Sequence, residues 1–255
     1  MTKFSDLLGK AGGRQTEPLG FGRGSRRAVK TPDILLVGRI TEEELTVINT
    51  KGSPLDAYLL EVDAVNPKML GAASNALDGT IWGLRLSSVT ENEKERVKKS
   101  GVDFIAFDAS NTPASVLSDE ELGAFVAVCQ VMSEEDAQAV HSLPVDGVAV
   151  ELDGGLFPFT VEALIRLHRP LTSGTHALVL SDFDPKTLSA GDLEAMRGAG
   201  VSALALPATG AGLQALRETI ASLPEPKPDG DDRMALIPRS SASEEPDDFD
   251  DEADF

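Results

Sequence analysis

The chain predicts a single (β/α)8 barrel, and three features of the sequence carry that expectation. Between Asp33 and Pro207 eight short apolar runs recur, each close to continuous, as strands buried on both faces of a parallel sheet are. Polar stretches of helix length separate the runs, and the second half of the series repeats marks of the first. Eight such units fit a closed barrel better than an open sheet. A chain of 255 residues that is 41% hydrophobic is long enough to bury one large core.

The runs, in order, are 33-DILLVGRI, 57-AYLLEVD, 80-TIWGLRLS, 102-VDFIAFD, 124-AFVAVCQV, 145-VDGVAVELD, 176-HALVLSD and 201-VSALALP. After the first comes 41-TEEEL and after the fifth 133-SEEDA, each a hydroxyl N-cap followed by acids in a first helical turn. Pro67 after strand 2 and Pro185 after strand 7 stand where a proline opens a helix. Gly101 and Gly200 close the helices that lead into strands 4 and 8. The eighth run gives way to 208-ATGAGLQALRETI, a small-residue loop entering a final helix. Ahead of the barrel, Phe4, Leu7 and Leu8 mark a short amphipathic helix, expected to close the barrel bottom, followed by Gly- and Arg-rich chain.

Charge divides the chain in three: a basic N-terminal extension (1–31, net +5), the barrel (32–222), and an acidic tail (223–255). The tail carries −9 of the overall −19. Its Pro-rich, charged composition lacks the apolar surface to fold and predicts disorder, with one apolar island at 234-MALIPR. The net charge argues against nucleic acid and anionic membranes, since phosphate is repelled. Cys129 is the only cysteine, so no internal disulfide can form. There is no signal-peptide pattern at the start and no run long enough to span a bilayer. The expectation is a cytoplasmic protein.

Two resemblances follow from these residues. The ending 244-EEPDDFDDEADF, with Phe249 and a terminal Phe255, resembles the acidic C-terminal tip of bacterial single-stranded-DNA-binding proteins. That likeness covers about nine residues, with Ala-Asp-Phe standing where the family has Pro-Phe. It implies a tail that docks a protein partner through Phe249 and Phe255; the plain alternative is a solvated tail that aids solubility. The repeat is the second. Glu61 and Glu151 end strands 2 and 6, and strands 3 and 7 both begin Gly-Thr and end Leu-Ser. The halves 33–123 and 124–220 resemble a duplicated half-barrel of the TIM-barrel superfamily, similar to the duplicated barrels of histidine biosynthesis. Those place catalytic acids at the ends of strands 1 and 5, where this chain has Arg39 and Gln130, so the likeness implies the architecture and not that activity.

Histidine chemistry is disfavoured. His141, His168 and His176 fall at helix ends or a strand start, at the barrel bottom, which disfavours a triad or a His-ligated zinc. Carboxylates carry more. If the Val and Leu residues of each strand face the helices, Glu61, Arg85, Asp108 and Glu151 point into the barrel, with Arg85 between Glu61 and Asp108. These four are the expected catalytic group. One reading gives Glu151 and Asp182 to a hard cation such as Mg²⁺, with Arg39 or Arg85 clamping an anion. The other makes the layer a buried set of ion pairs that fills the barrel. Gln130, Thr209, Gly210 and Gly212 join Arg39 as substrate-binding candidates, because a glycine loop at a helix start lets backbone N–H groups approach phosphate. Lys68 and Lys186 are read as solvated loop lysines.

The functional expectation is a lyase- or aldolase-like enzyme for a small phosphorylated or carboxylated metabolite, assisted by a divalent cation. The alternative is a non-catalytic scaffold or adaptor that docks a partner through 244–255.

Overall fold

The computed structural model describes residues 2–11, 32–119, 121–128, 133–152, 159–168, 171 and 176–224. Met1–Leu223 form one compact unit, and Pro224–Phe255 a second of which only Pro224 is described. Eight parallel strands close on themselves in sequence order: β1 (Leu35–Ile40), β2 (Ala57–Glu61), β3 (Trp82–Leu86), β4 (Phe104–Asp108), β5 (Gly123–Val128), β6 (Gly147–Leu152), β7 (His176–Ser181) and β8 (Val201–Pro207). Closure is made by β1 against β8, from Leu35↔Ala203 to Arg39↔Pro207. The barrel expected from the eight runs is therefore the observed fold.

Helix α1 (Lys3–Ala11) precedes the barrel. Around it stand α2 (Pro67–Ala76), α3 (Glu91–Lys99), α4 (Glu134–His141), α5 (Val161–His168), α6 (Ala190–Gly198) and α7 (Leu213–Ala221). The caps are local. Asn66 accepts from the Lys68 N–H, and Thr90–Glu93 and Ser189–Asp192 form reciprocal capping boxes.

Two expected helices are 3₁₀ turns instead. After β1 only Glu44–Thr46 winds, because Glu44 turns back onto the Thr41 N–H and the β-branched run Thr46-Val47-Ile48 disfavours a helix. After β4 the chain makes turns at Ala109–Asn111 and Ala114–Ser118, split by Pro113. Pro185 also opens a 3₁₀ turn, Pro185–Thr187, and α6 starts only after Ser189.

Alternation along the strands sorts the core into two. Leu36, Leu60, Leu84, Val126, Val150, Val179 and Leu204 lie between sheet and helices. Leu35, Val37, Leu59, Phe104, Phe125, Leu178 and Ala205 fill the barrel interior together with Phe4 and Leu8 of α1. Helix α1 is thus the floor of the barrel. The Phe4 ring stacks on Phe104 with centroids 4.1 Å apart and leans on Phe125 at 5.5 Å. Asp103 accepts from the Lys3 and Phe4 N–H groups, and the Ser5 hydroxyl donates to Asp146. Gly83 makes room for this stack: a Cβ there would stand 2.6 Å from the Phe104 ring and carbonyl.

Candidate functional site

Two residues beyond the apolar interior layer, the inward position of six of the eight strands turns polar. Arg39, Glu61, Arg85, Asp108 and Glu151 occupy this level at the C-terminal ends of β1, β2, β3, β4 and β6, with Asp182 just past β7. The register places Glu61 beside Arg85, the neighbour relationship the sequence suggested.

The ion pairs divide differently. Arg39 donates from Nε to Glu61 at 2.7 Å and from Nη1 to Asp182 at 2.7 Å. Arg85 donates from Nη2 to both Asp108 and Glu151, each at 2.8 Å, and from Nη1 to the Leu86 carbonyl at 2.6 Å. By strand order Arg85 does stand between Glu61 and Asp108, but its ion pairs go to Asp108 and Glu151, and Glu61 pairs with Arg39 instead. Two guanidinium groups share four carboxylates, two each; had Arg85 kept Glu61, Arg39 would have lost its closest counter-charge inside the barrel.

Burial is asymmetric across the layer. The arginine side chains are 18% and 16% exposed, whereas Asp182 is 76% and Glu151 60% exposed. Burial alone would lower the pKa of both guanidinium groups. Hydrogen bonds and charge from Glu61 and Asp182 outweigh it at Arg39, and those from Glu151 and Asp108 do so at Arg85, so both are raised. The cations are fixed and charged below, and the carboxylates face the solvent above them.

A cleft of about 610 Å³ opens on this layer, lined by Glu42, Glu61, Asp63, Asn66, Arg85, Ser87 and Glu151 among others. Glu42, Asn66 and Ser87 escaped sequence reasoning. Their one signal is position just past strand ends, where barrel sites gather. Among the described residues no three His, Cys, Asp or Glu side chains converge so as to hold a metal ion. Glu151 and Asp182 each turn to an arginine.

The loop after β8 forms a second part of the mouth. The Gly210 N–H closes a turn onto the Pro207 carbonyl, and the Ala208 N–H ties the loop to the Arg39 carbonyl. Gly212 is the N-cap of α7 at φ 109, and no side chain caps the helix start. The Lys186 stem crosses it so closely that a Cβ on Gly212 would lie 2.8 Å from Lys186 Cγ. Neighbouring acids are occupied: Asp184 accepts from the Lys186 N–H, Glu44 from Thr41 and from the Thr209 hydroxyl, and Asp182 from Arg39. The Lys186 ammonium makes no salt bridge among the described residues. A cation at a helix N-terminus opposes the helix dipole, so the Lys186 charge gains nothing from α7 itself, whereas an anion would be favoured by both. Lys186, set aside in the sequence as solvated, is exposed and also stands at this point.

Thr209, Gly210 and Gly212 therefore share one loop, Arg39 lies beside it, and Arg85, Glu61, Asp108 and Glu151 form the layer below the cleft. Gln130, Cys129, Phe249 and Phe255 lie outside the described residues. His168 and His176 sit at the barrel bottom, near the Ala199 carbonyl and the Ser202 hydroxyl at 3.4 Å each.

No protein-family model matches the chain, and no curated protein matches it in sequence. Solved structures match its fold. KGPDC from Streptococcus mutans is similar over 74% of this chain and 98% of that chain, with TM-score 0.57 and 11% identity. Orotidine 5'-phosphate decarboxylase from Pyrococcus horikoshii is similar over 73% and 99%, with TM-score 0.54 and 14% identity. Thiamine phosphate pyrophosphorylase from Pyrococcus furiosus is similar over 75% and 96%, with TM-score 0.50 and 12% identity. At such identities the likeness is one of fold: the chain is a (β/α)8 barrel built like those of these enzymes.

Proposed function

We propose that this barrel is an enzyme for a small phosphorylated metabolite, whose phosphate sits at the start of α7 and whose reacting carbons reach the carboxylate-lined cleft. The observation that carries the reading is Lys186 lying over Gly212 at an uncapped helix start. Backbone N–H groups at the start of α7 and the lysine charge suit a phosphate, and Thr209 and Gly210 complete the loop. Two structurally similar proteins carry names that point the same way, the orotidine 5'-phosphate decarboxylase and the thiamine phosphate pyrophosphorylase. That supports the substrate class by analogy of fold.

In its lyase- or aldolase-like form, Glu61 or Glu151 takes the proton beside a substrate carbonyl. The electron pair moves onto the carbonyl oxygen, and Arg85 stabilises the resulting enolate. A substrate oxyanion reaches an arginine by replacing Asp182 or Glu151, whose exposed contacts cost little to exchange. A Mg²⁺-assisted version requires the same two carboxylates to leave their arginines for the metal; the version above needs no cation. The adaptor alternative draws on 244–255 alone, and no described residue bears on it.

The test is calorimetric titration of the full chain with inorganic phosphate and a panel of sugar phosphates beside the matching free sugars. Phosphorylated compounds bind and the free sugars do not, and Lys186→Ala weakens binding about tenfold, or 1.4 kcal/mol. Equal behaviour of phosphorylated and free sugars, or of wild type and Lys186→Ala, overturns the reading. Repeating the titration with Mg²⁺ and with EDTA separates the two versions.

A further inference from the structure

A second feature lies on the outer wall, away from the mouth. Helix α5 leaves Val161 73% and Ile165 53% exposed, one turn apart on the same face. Beside them runs an apolar groove of about 440 Å³ between α5 and α6, lined by Val161, Leu164, Ile165, Ala195, Gly198 and Ala199, with His168 at its end. The α6 side consists of small residues, and a Cβ on Gly198 would meet nothing within 4 Å. The face therefore carries protruding branched side chains on one edge and an open hollow on the other.

Such a surface is complementary to itself. Under a two-fold axis across the groove, Ile165 of each copy enters the hollow over Gly198 and Ala195 of the other, the reciprocal arrangement that closes a dimer. The charges agree. Helix α5 carries one acid and one base, Glu162 and Arg166, a turn apart and bonded to each other. Antiparallel docking of α5 on its copy brings Glu162 toward the partner's Arg166, and Arg166 toward the partner's Glu162. Together α5 and α6 carry Glu162, Asp192 and Glu194 against Arg166 and Arg197, a net −1 with histidine neutral, on a chain of −19. The face is a place where two copies of so acidic a protein can approach with little local repulsion.

We infer that the α5–α6 groove is the interface of a homodimer, with Ile165 seated in the Gly198 hollow of the second copy.

Sedimentation velocity and light scattering of the full chain over a wide concentration range test this. The expected result is a species of twice the 26.9 kDa chain mass, favoured by added salt as the long-range repulsion is screened. Ile165→Glu puts a charge in the hollow, and Gly198→Gln fills it without strain, since Gly198 is a helical residue with negative φ. Each raises the dimer dissociation constant about tenfold or more. Both positions are exposed, so circular dichroism and melting stay as in wild type. Val47→Glu, a charge at an exposed apolar residue elsewhere, leaves the dimer intact. A wild type that stays monomeric at every concentration overturns the inference, as does a dimer that survives both groove substitutions.

Discussion

Arg85 on β3 reaches across the barrel mouth to Glu151 on β6, Nη2 to Oε1 at 2.8 Å, over strands that are not neighbours in the sheet. The same Nη2 holds Asp108 on the adjacent β4, and Nη1 is anchored by the Leu86 carbonyl. One guanidinium therefore ties β3, β4 and β6 together and sets the floor of the cleft. Arg39 does the corresponding work for β1, β2 and the end of β7 through Glu61 and Asp182. The fork geometry matters, since one planar group donates in several directions at once.

Arg85→Met should lower stability by about 1–2 kcal/mol, less than for a fully buried pair because its carboxylate partners are partly solvated. Arg85→Lys should recover only part of the loss, the charge being kept and the fork lost. A double-mutant cycle with Glu151→Gln, read by urea unfolding, should show a coupling of roughly 0.5–1 kcal/mol. Strict additivity would mean that the cross-barrel bond does not form in solution.

The eight strands were legible because their apolar runs are nearly continuous, evenly spaced and separated by polar stretches of helix length. The inward direction of Glu61, Arg85, Asp108 and Glu151 was legible too, since strand alternation fixes it. Pair choice was not. Register sets Glu61 opposite Arg85, but a long side chain can span the mouth, and which acid it takes depends on where the second arginine sits. The helices expected after β1 and β4 failed because local side-chain bonds and Pro113 won over composition. Lys186 is exposed, as its loop position led one to expect, but sequence shows only a lysine after a proline, and it is the packing of two loops that lays its stem over Gly212.

The floor of the barrel should hold much of the stability. Phe4 is fully buried and stacks within the interior beside Phe104 and Phe125. Phe4→Ala leaves a cavity where the surrounding strands cannot collapse, and should cost about 3–5 kcal/mol by chemical denaturation. Phe4→Leu should cost less than half as much. A loss under about 1 kcal/mol for Phe4→Ala would mean that α1 is not a working part of the core.

Acid sensitivity should come in part from Asp119, which Lys98 holds as a carboxylate. Burial pushes the Asp119 carboxyl up, but hydrogen bonds from Lys98 at 2.8 Å and from the Glu121 N–H outweigh it and hold its pKa below the ordinary 3.8. A depressed folded pKa gives stability that is whole above the unfolded value and lost as pH falls through the folded one. Asp119→Asn should therefore be destabilising at neutral pH, with a difference from wild type that shrinks below about pH 4. Melting curves at neutral and acid pH check this; a difference that grows toward acid would reverse the assigned sign.

Gly212 separates the demands of the backbone from those of the ligand. Its φ of 109 is strained for any L side chain, and a Cβ would strike Lys186 Cγ at 2.8 Å. Gly212→Ala should thus cost about 1–2 kcal/mol in folding and also push the lysine off the start of α7. Lys186→Met keeps most of the stem and removes only the charge, so it should leave stability within about 0.5 kcal/mol. If the loop is a phosphate site, both variants lose phosphate affinity and only the first loses stability. If the loop is merely a tight turn, the stability difference remains and phosphate binding is the same in all three proteins. Urea unfolding and phosphate titration on the same preparations distinguish these outcomes.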